Sequence, residues 1–151
     1  MSRVGYKYWL AVVILLIVTA AIYWRTLDYP PVGWDDSLVE VSAGFESNGL
    51  TIDYLKDTIL PRNFYSYQPV RNITRDIIAS LSDPGEWRLF HLFNIIVYLL
   101  TLLILFLLFR NIFRRIERVD ISRNADVAAV FATVLFALHP LHAEPVAWVA
   151  G

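Results

Sequence analysis

The chain has 151 residues, 57% of them hydrophobic and only 18% charged, and a mean hydropathy of +0.50, too apolar for a soluble domain of ordinary composition. A formal net charge of −1 excludes the global basic field that holds nucleic acid, so no nucleic-acid partner is expected. The absence of cysteine excludes disulfides and thiol chemistry and leaves the redox compartment open.

An all-α, polytopic membrane protein is expected, with about three crossings of roughly 20 residues each and one long loop. Residues 1–151 are read as one unit. The first span is 6–24. Its run from Trp9 to Trp24 carries no charge and has aromatic residues at both ends, where rings favour the two interfaces. Tyr23, Trp24 and Arg25 stand where a signal peptide would need small residues for cleavage, so the segment reads as an anchor.

Residues 25–88 form the long loop, which Pro30, Pro31, Pro61, Pro69 and Pro84 divide into short pieces. Trp34-Asp35-Asp36 follows span one closely, so its carboxylates lie near the membrane surface. A carboxylate there serves as a general base or a metal ligand, or it is simply part of a solvated acidic turn. Two short helices are expected further on. One covers 50–60, with Leu50, Ile52, Leu55, Ile59 and Leu60, and the other covers 72–81, with Ile73, Ile77, Ile78 and Leu81. The pattern leaves open whether they lie on the membrane or pack on one another. Arg71 and Arg75, four apart just after Tyr67-Gln68-Pro69-Val70, share a helix face. That suits a phosphate clamp as well as it suits surface ion pairs.

The second span is 89–109. In this aliphatic helix His91, Asn94, Tyr98 and Thr101 fall on one stripe. Asn94 and Thr101 are expected to bond to a neighbouring helix, and His91, near the outer end, to reach the loop. The link 110–124 carries Arg110, Arg114, Arg115, Arg118 and Arg123, while Arg3 and Lys7 precede span one. Arginine-rich short segments stay cytoplasmic, which puts the N-terminus and 110–124 inside. The loop 25–88, with ten acidic against six basic residues, is then periplasmic or lumenal, in a bacterial inner membrane or the endoplasmic reticulum.

The third span, 125–138, stops at His139-Pro140. Pro140 and Pro145 prevent a regular helix through His139, His142 and Glu144, which frees backbone groups and aims these side chains in several directions. His and carboxylate suit a divalent metal, but His-x-x-His-x-Glu is not a standard ligand spacing, so no metal site and no definite cofactor is assigned. Capping or interfacial hydrogen bonding is the alternative. By this topology the paired acids and the turn occupy one side.

The segment from Phe136 to Gly151, with His139-Pro140-Leu141-His142-Ala143-Glu144 at its centre, resembles the third-helix signature of the GT-C superfamily of membrane glycosyltransferases. The likeness is closest to the transmembrane O-mannosyltransferases with tetratricopeptide repeats and to their bacterial relatives. Trp34-Asp35-Asp36 resembles that family's paired-acid motif, Tyr67-Gln68-Pro69-Val70 its Tyr-Arg-Pro-Leu motif, and His91-x-x-Asn94 the start of its second helix. The resemblance implies protein glycosylation from a polyprenyl-phosphate sugar onto a protein or glycan acceptor. Asp35 would be the base, Asp36 would support it, and Arg71 or Arg75 would hold the donor phosphate. Tyr67, His91, His139, His142 and Glu144 would line the substrate site. Gln68 stands where the family usually has Arg, and Tyr98 where a second histidine often recurs. Relatives continue past the position of Gly151 into further spans, so a fragment or truncated product, inactive alone, is expected. Two other readings compete: a non-catalytic membrane scaffold or subunit, and a metal-binding membrane sensor.

Overall fold

A computed structural model describes residues 3–30, 51–60, 67–83, 86–116 and 122–148, and every element among them is helical. Helix α1 (Arg3–Tyr23) runs into a 3-10 turn (Trp24–Asp28). Two short helices follow, α2 (Ile52–Ile59) and α3 (Pro69–Leu81). The long helix α4 (Arg88–Ile116) comes next, then α5 (Ser122–Ala137), a 3-10 turn (Pro140–His142) and α6 (Ala143–Ala147).

Two segments, Tyr6–Asp28 and Arg88–Ile116, are long and apolar enough to cross a membrane. A third crossing exists if Ala125–Ala137 and Pro140–Ala147, bent by 59°, form one span. Leu10, Val13, Ile14, Ile17, Val18 and Ile22 of α1 are exposed, the reverse of a soluble helix and the form of an integral membrane protein.

Helix α4 is the hub, with α1 and α5 packed against it in the opposite direction. Near its start Ile95, Tyr98 and Leu102 meet Leu27, Ala137 and Val146. Further along, Phe106 meets Val12 and Ala129, with Trp9 edge-on to Phe106. The close approach of α5 has a simple cause in its sequence. Ala125, Ala129 and Thr133 recur every four residues and are all 0% exposed, so one ridge of the helix is small. In a bilayer, where lipid tails are as apolar as leucine, such close contact is what drives helix association.

Beside Trp9 and Phe106, where Phe109 and Phe113 continue the apolar packing, charge enters the bundle. Asp126 is buried and accepts from Arg110 Nε at 2.8 Å and from Arg114 Nε and Nη2 at 3.1 and 3.0 Å. The Arg110 guanidinium lies 6.0 Å from the centre of the Trp9 ring, so all three long helices meet here. Helix occupies 110–116 and 122–124 of the link expected as a loop over 110–124. Pairing with Asp126 explains part of the extension, because it lets two arginines be held along a helix instead of being left to solvent.

The short helices pack on one another, and Ile52, Val70 and Leu81 stay exposed. The Tyr54 hydroxyl donates to the buried Asp76 carboxylate, joining α2 to α3. Thr51 caps α2 through Tyr54 N, and Pro69 begins α3, where its missing N–H has no helical partner to lose. Ile78 and Ala79 then seat α3 on Trp87 and Phe90 at the start of α4.

Asp126→Ala strands two arginines beside apolar surface. Removing one partner of a buried ion pair costs about 3–5 kcal/mol, and the value expected here is at or below the low end, because the Arg114 side chain is 43% exposed. Reversible unfolding in mixed detergent micelles is expected to show that loss for Asp126→Ala and almost none for Arg115→Ala.

Candidate functional site

At the opposite end of α4 the polar stripe meets three other parts of the chain. His91, 1% exposed, places Nε2 at 3.2 Å from the Tyr29 carbonyl, and because that oxygen only accepts, the ring proton of this contact sits on Nε2. Asn94 Nδ2 donates to the Trp148 carbonyl at 2.8 Å, and the Tyr98 hydroxyl to the Ala137 carbonyl at 3.1 Å. His91 thus reaches the start of the loop, and Asn94 bonds across helices, as the stripe suggested. Thr101 does not bond across. Its hydroxyl donates to Val97 O within α4.

The Ala137 carbonyl is available for a local reason. A residue before proline is pushed into extended backbone, and His139 has φ −70° and ψ 126°. Pro140 brings no N–H, and the Leu141 N–H turns back to His139 Nδ1 at 3.3 Å. Ala137 therefore loses the donor that a continuing helix would supply, and Tyr98 replaces it. The break also stacks rings. His142 lies 4.0 Å from Phe136 between centroids, 5.7 Å from Tyr98 and 5.9 Å from His139, and Tyr98 in turn meets Tyr23 edge-on at 5.7 Å.

This arrangement leaves specific groups for a ligand. His139 Nδ1 is an acceptor, which puts its proton on Nε2, so an exposed ring N–H can donate to an oxygen. Within the described residues no hydrogen bond engages the ring nitrogens of His142, and Glu144 is exposed without a side-chain partner. Among the described residues no three His, Asp or Glu side chains converge on a point that would hold a metal ion.

Among the described residues, Tyr67, Arg71 and Arg75 make no hydrogen bond, ion pair or ring contact with this cluster. The Tyr67 hydroxyl donates to the Ile59 carbonyl at 2.7 Å, so it tethers α2 to the start of α3. Arg71 is exposed and unpaired among the described residues. Arg75 is mostly covered, with Nε 4.0 Å from an oxygen of Asp76. No hydrogen bond or ion pair joins either arginine to His139, His142 or Glu144. Asp35 and Asp36 lie outside the described residues.

No family model, curated protein or solved structure matches the chain. The site rests on its own geometry.

Ala137 and Trp148, important to this geometry, and Asp126 at the opposite end of α4 were given no role from the sequence. Asp126 carried a signal, a lone acid opening an apolar run beside an arginine-rich link. Ala137 and Trp148 act through backbone carbonyls, for which the side chain gives no sign.

Tyr98→Phe removes the hydroxyl and keeps the ring. A net loss of about 1 kcal/mol is expected to raise hydrogen exchange of the His142 amide, bonded to His139 O at 3.1 Å, about fivefold. Unchanged exchange there would show that the break holds itself without Tyr98.

Proposed function

We propose that this chain forms part of a GT-C-like glycosyltransferase that uses a polyprenyl-phosphate sugar, with Asp35 as its base. The observation that carries the reading is the convergence on one end of α4. His91 holds the chain at Tyr29, and Tyr98 and Asn94 hold the His139 to Glu144 turn on both sides. Asp35 follows Tyr29 by six residues, so full extension of the chain keeps it within about 20 Å of that point. The arginines near Asp126 support a cytoplasmic side for the other end, and the reading takes the converged end as periplasmic or lumenal.

In the proposed reaction the Asp35 carboxylate takes the proton of an acceptor hydroxyl as its oxygen attacks the anomeric carbon of the donor. The carbon–oxygen bond to the phosphate breaks, and the polyprenyl phosphate leaves with the bonding pair. Asp36 supports the base. The exposed Nε2–H of His139 suits a donor to a phosphate or sugar oxygen, His142 and Phe136 offer ring surface to a sugar, and Arg71 offers an uncommitted guanidinium to phosphate. Mannose is the favoured sugar by the motif resemblance.

One observation favours a second reading, a non-catalytic scaffold or subunit. His91, Asn94 and Tyr98 all spend hydrogen bonds on backbone carbonyls of this same chain, which is how a structural clasp behaves.

Membranes containing the complete enzyme of which this chain is proposed to form part, supplied with labelled polyprenyl-phosphate mannose and a serine- and threonine-rich peptide, separate the two. Loss of a general base typically costs 10²–10⁴-fold, so Asp35→Asn is expected to lower transfer about 100-fold or more at equal expression. Transfer undiminished in Asp35→Asn would remove the base role. No transfer by the unaltered protein above membranes lacking it would favour the scaffold.

A further inference from the structure

The end of the bundle opposite the histidines is also built to hold something. Asp126, whose side chain is 4% exposed, takes the Nε of both Arg110 and Arg114 and one terminal nitrogen of Arg114. No partner among the described residues takes the terminal nitrogens of Arg110 or the second one of Arg114. Arg115 is exposed and gives only its Nε, to Asn111 at 3.2 Å. Among the described residues Arg110 and Arg114 thus share one carboxylate and Arg115 has none, a surplus of two positive charges, with Arg110 and Arg114 oriented by a buried acid.

Position identifies what meets that charge. The guanidinium groups alternate along α4 with its last packed aromatics, Phe109 and Phe113, and the Arg110 guanidinium lies over Trp9, a ring at the interface end of a membrane helix. A group meeting them at this depth is at the level of lipid headgroups. Guanidinium N–H pairs match the oxygens of a phosphate, and basic pockets between membrane helices are a known form of anionic headgroup site. We infer that Arg110, Arg114 and Arg115 bind the phosphate of an anionic phospholipid, with Asp126 fixing the direction in which Arg110 and Arg114 present their remaining N–H groups. The inference is independent of the proposed glycosyl transfer, because it concerns the other membrane face and none of the same residues.

Native mass spectrometry of the detergent-solubilised protein tests it, with phosphatidylglycerol and phosphatidylcholine as the two probes. The unaltered protein is expected to retain phosphatidylglycerol at least tenfold more tightly than phosphatidylcholine. Arg114→Gln combined with Arg115→Gln leaves Arg110 on Asp126, and is expected to remove most of that preference while phosphatidylcholine retention stays the same. Millimolar inorganic phosphate is expected not to displace the lipid. Equal retention of the two lipids by the unaltered protein overturns the site, and needs no variant to fold. An undiminished preference in the double variant overturns the role of these arginines. Displacement by inorganic phosphate overturns the lipid as the ligand.

Discussion

A carbonyl buried without a donor is costly, and Ala137 frees one. Pro140 ends α5 by removing an N–H and by forcing His139 out of helical backbone. Tyr98, on the facing side of α4, supplies the missing donor. Much of this end of the molecule follows from that contact. It holds the 59° bend between α5 and the turn beyond it. It also sets the Tyr98 ring between Tyr23 and His142, so one side chain binds a backbone atom and packs two neighbouring segments. Asn94, one turn earlier, holds Trp148 and closes the far side of the break.

The two ends of α4 solve the same problem with different chemistry. At one end neutral donors meet backbone carbonyls, and the result is a clasp that gathers the chain after α1 and the segment after α5. At the other a buried carboxylate gathers two arginines and, through Arg110, the Trp9 ring. The charged end stays buried because three hydrogen bonds from two arginines offset the desolvation of Asp126. The neutral clasp carries no such cost. The exposed Arg88–Asp28 pair at 3.6 Å adds little, because solvent screens it.

Periodicity and charge made the architecture readable. An uncharged run from Trp9 to Trp24 and a leucine-rich run from Leu99 to Phe109 have few uses outside a bilayer, and both became long exposed helices. The stripe from His91 to Thr101 was visible as polar residues at helical spacing, and three of its four members bond to other segments. Thr101 bonds within its own helix because a threonine hydroxyl can reach a carbonyl one turn back. The length of α4 was underestimated, since an arginine-rich segment looks like a loop until Asp126 is seen to hold it. Tyr67 carried a motif-based expectation of substrate contact, and nothing in the sequence signalled that its hydroxyl ties two short helices together. The histidine turn was legible as an irregularity from its prolines. The direction of its rings was not, because that depends on Phe136 and Tyr98 meeting it from two helices.

The central claim is that the segment after α1 and the histidine turn share one face, with the arginine end on the other. A cysteine-free chain makes this direct to measure. Single cysteines placed at Tyr29, Glu144 and Arg115, all exposed positions, are reacted with a membrane-impermeant maleimide in sealed vesicles of known orientation. The account predicts that Tyr29→Cys and Glu144→Cys are modified from the same side, and that Arg115→Cys reacts from that side only after the membrane is opened. Modification of Tyr29→Cys and Glu144→Cys from opposite sides would contradict it.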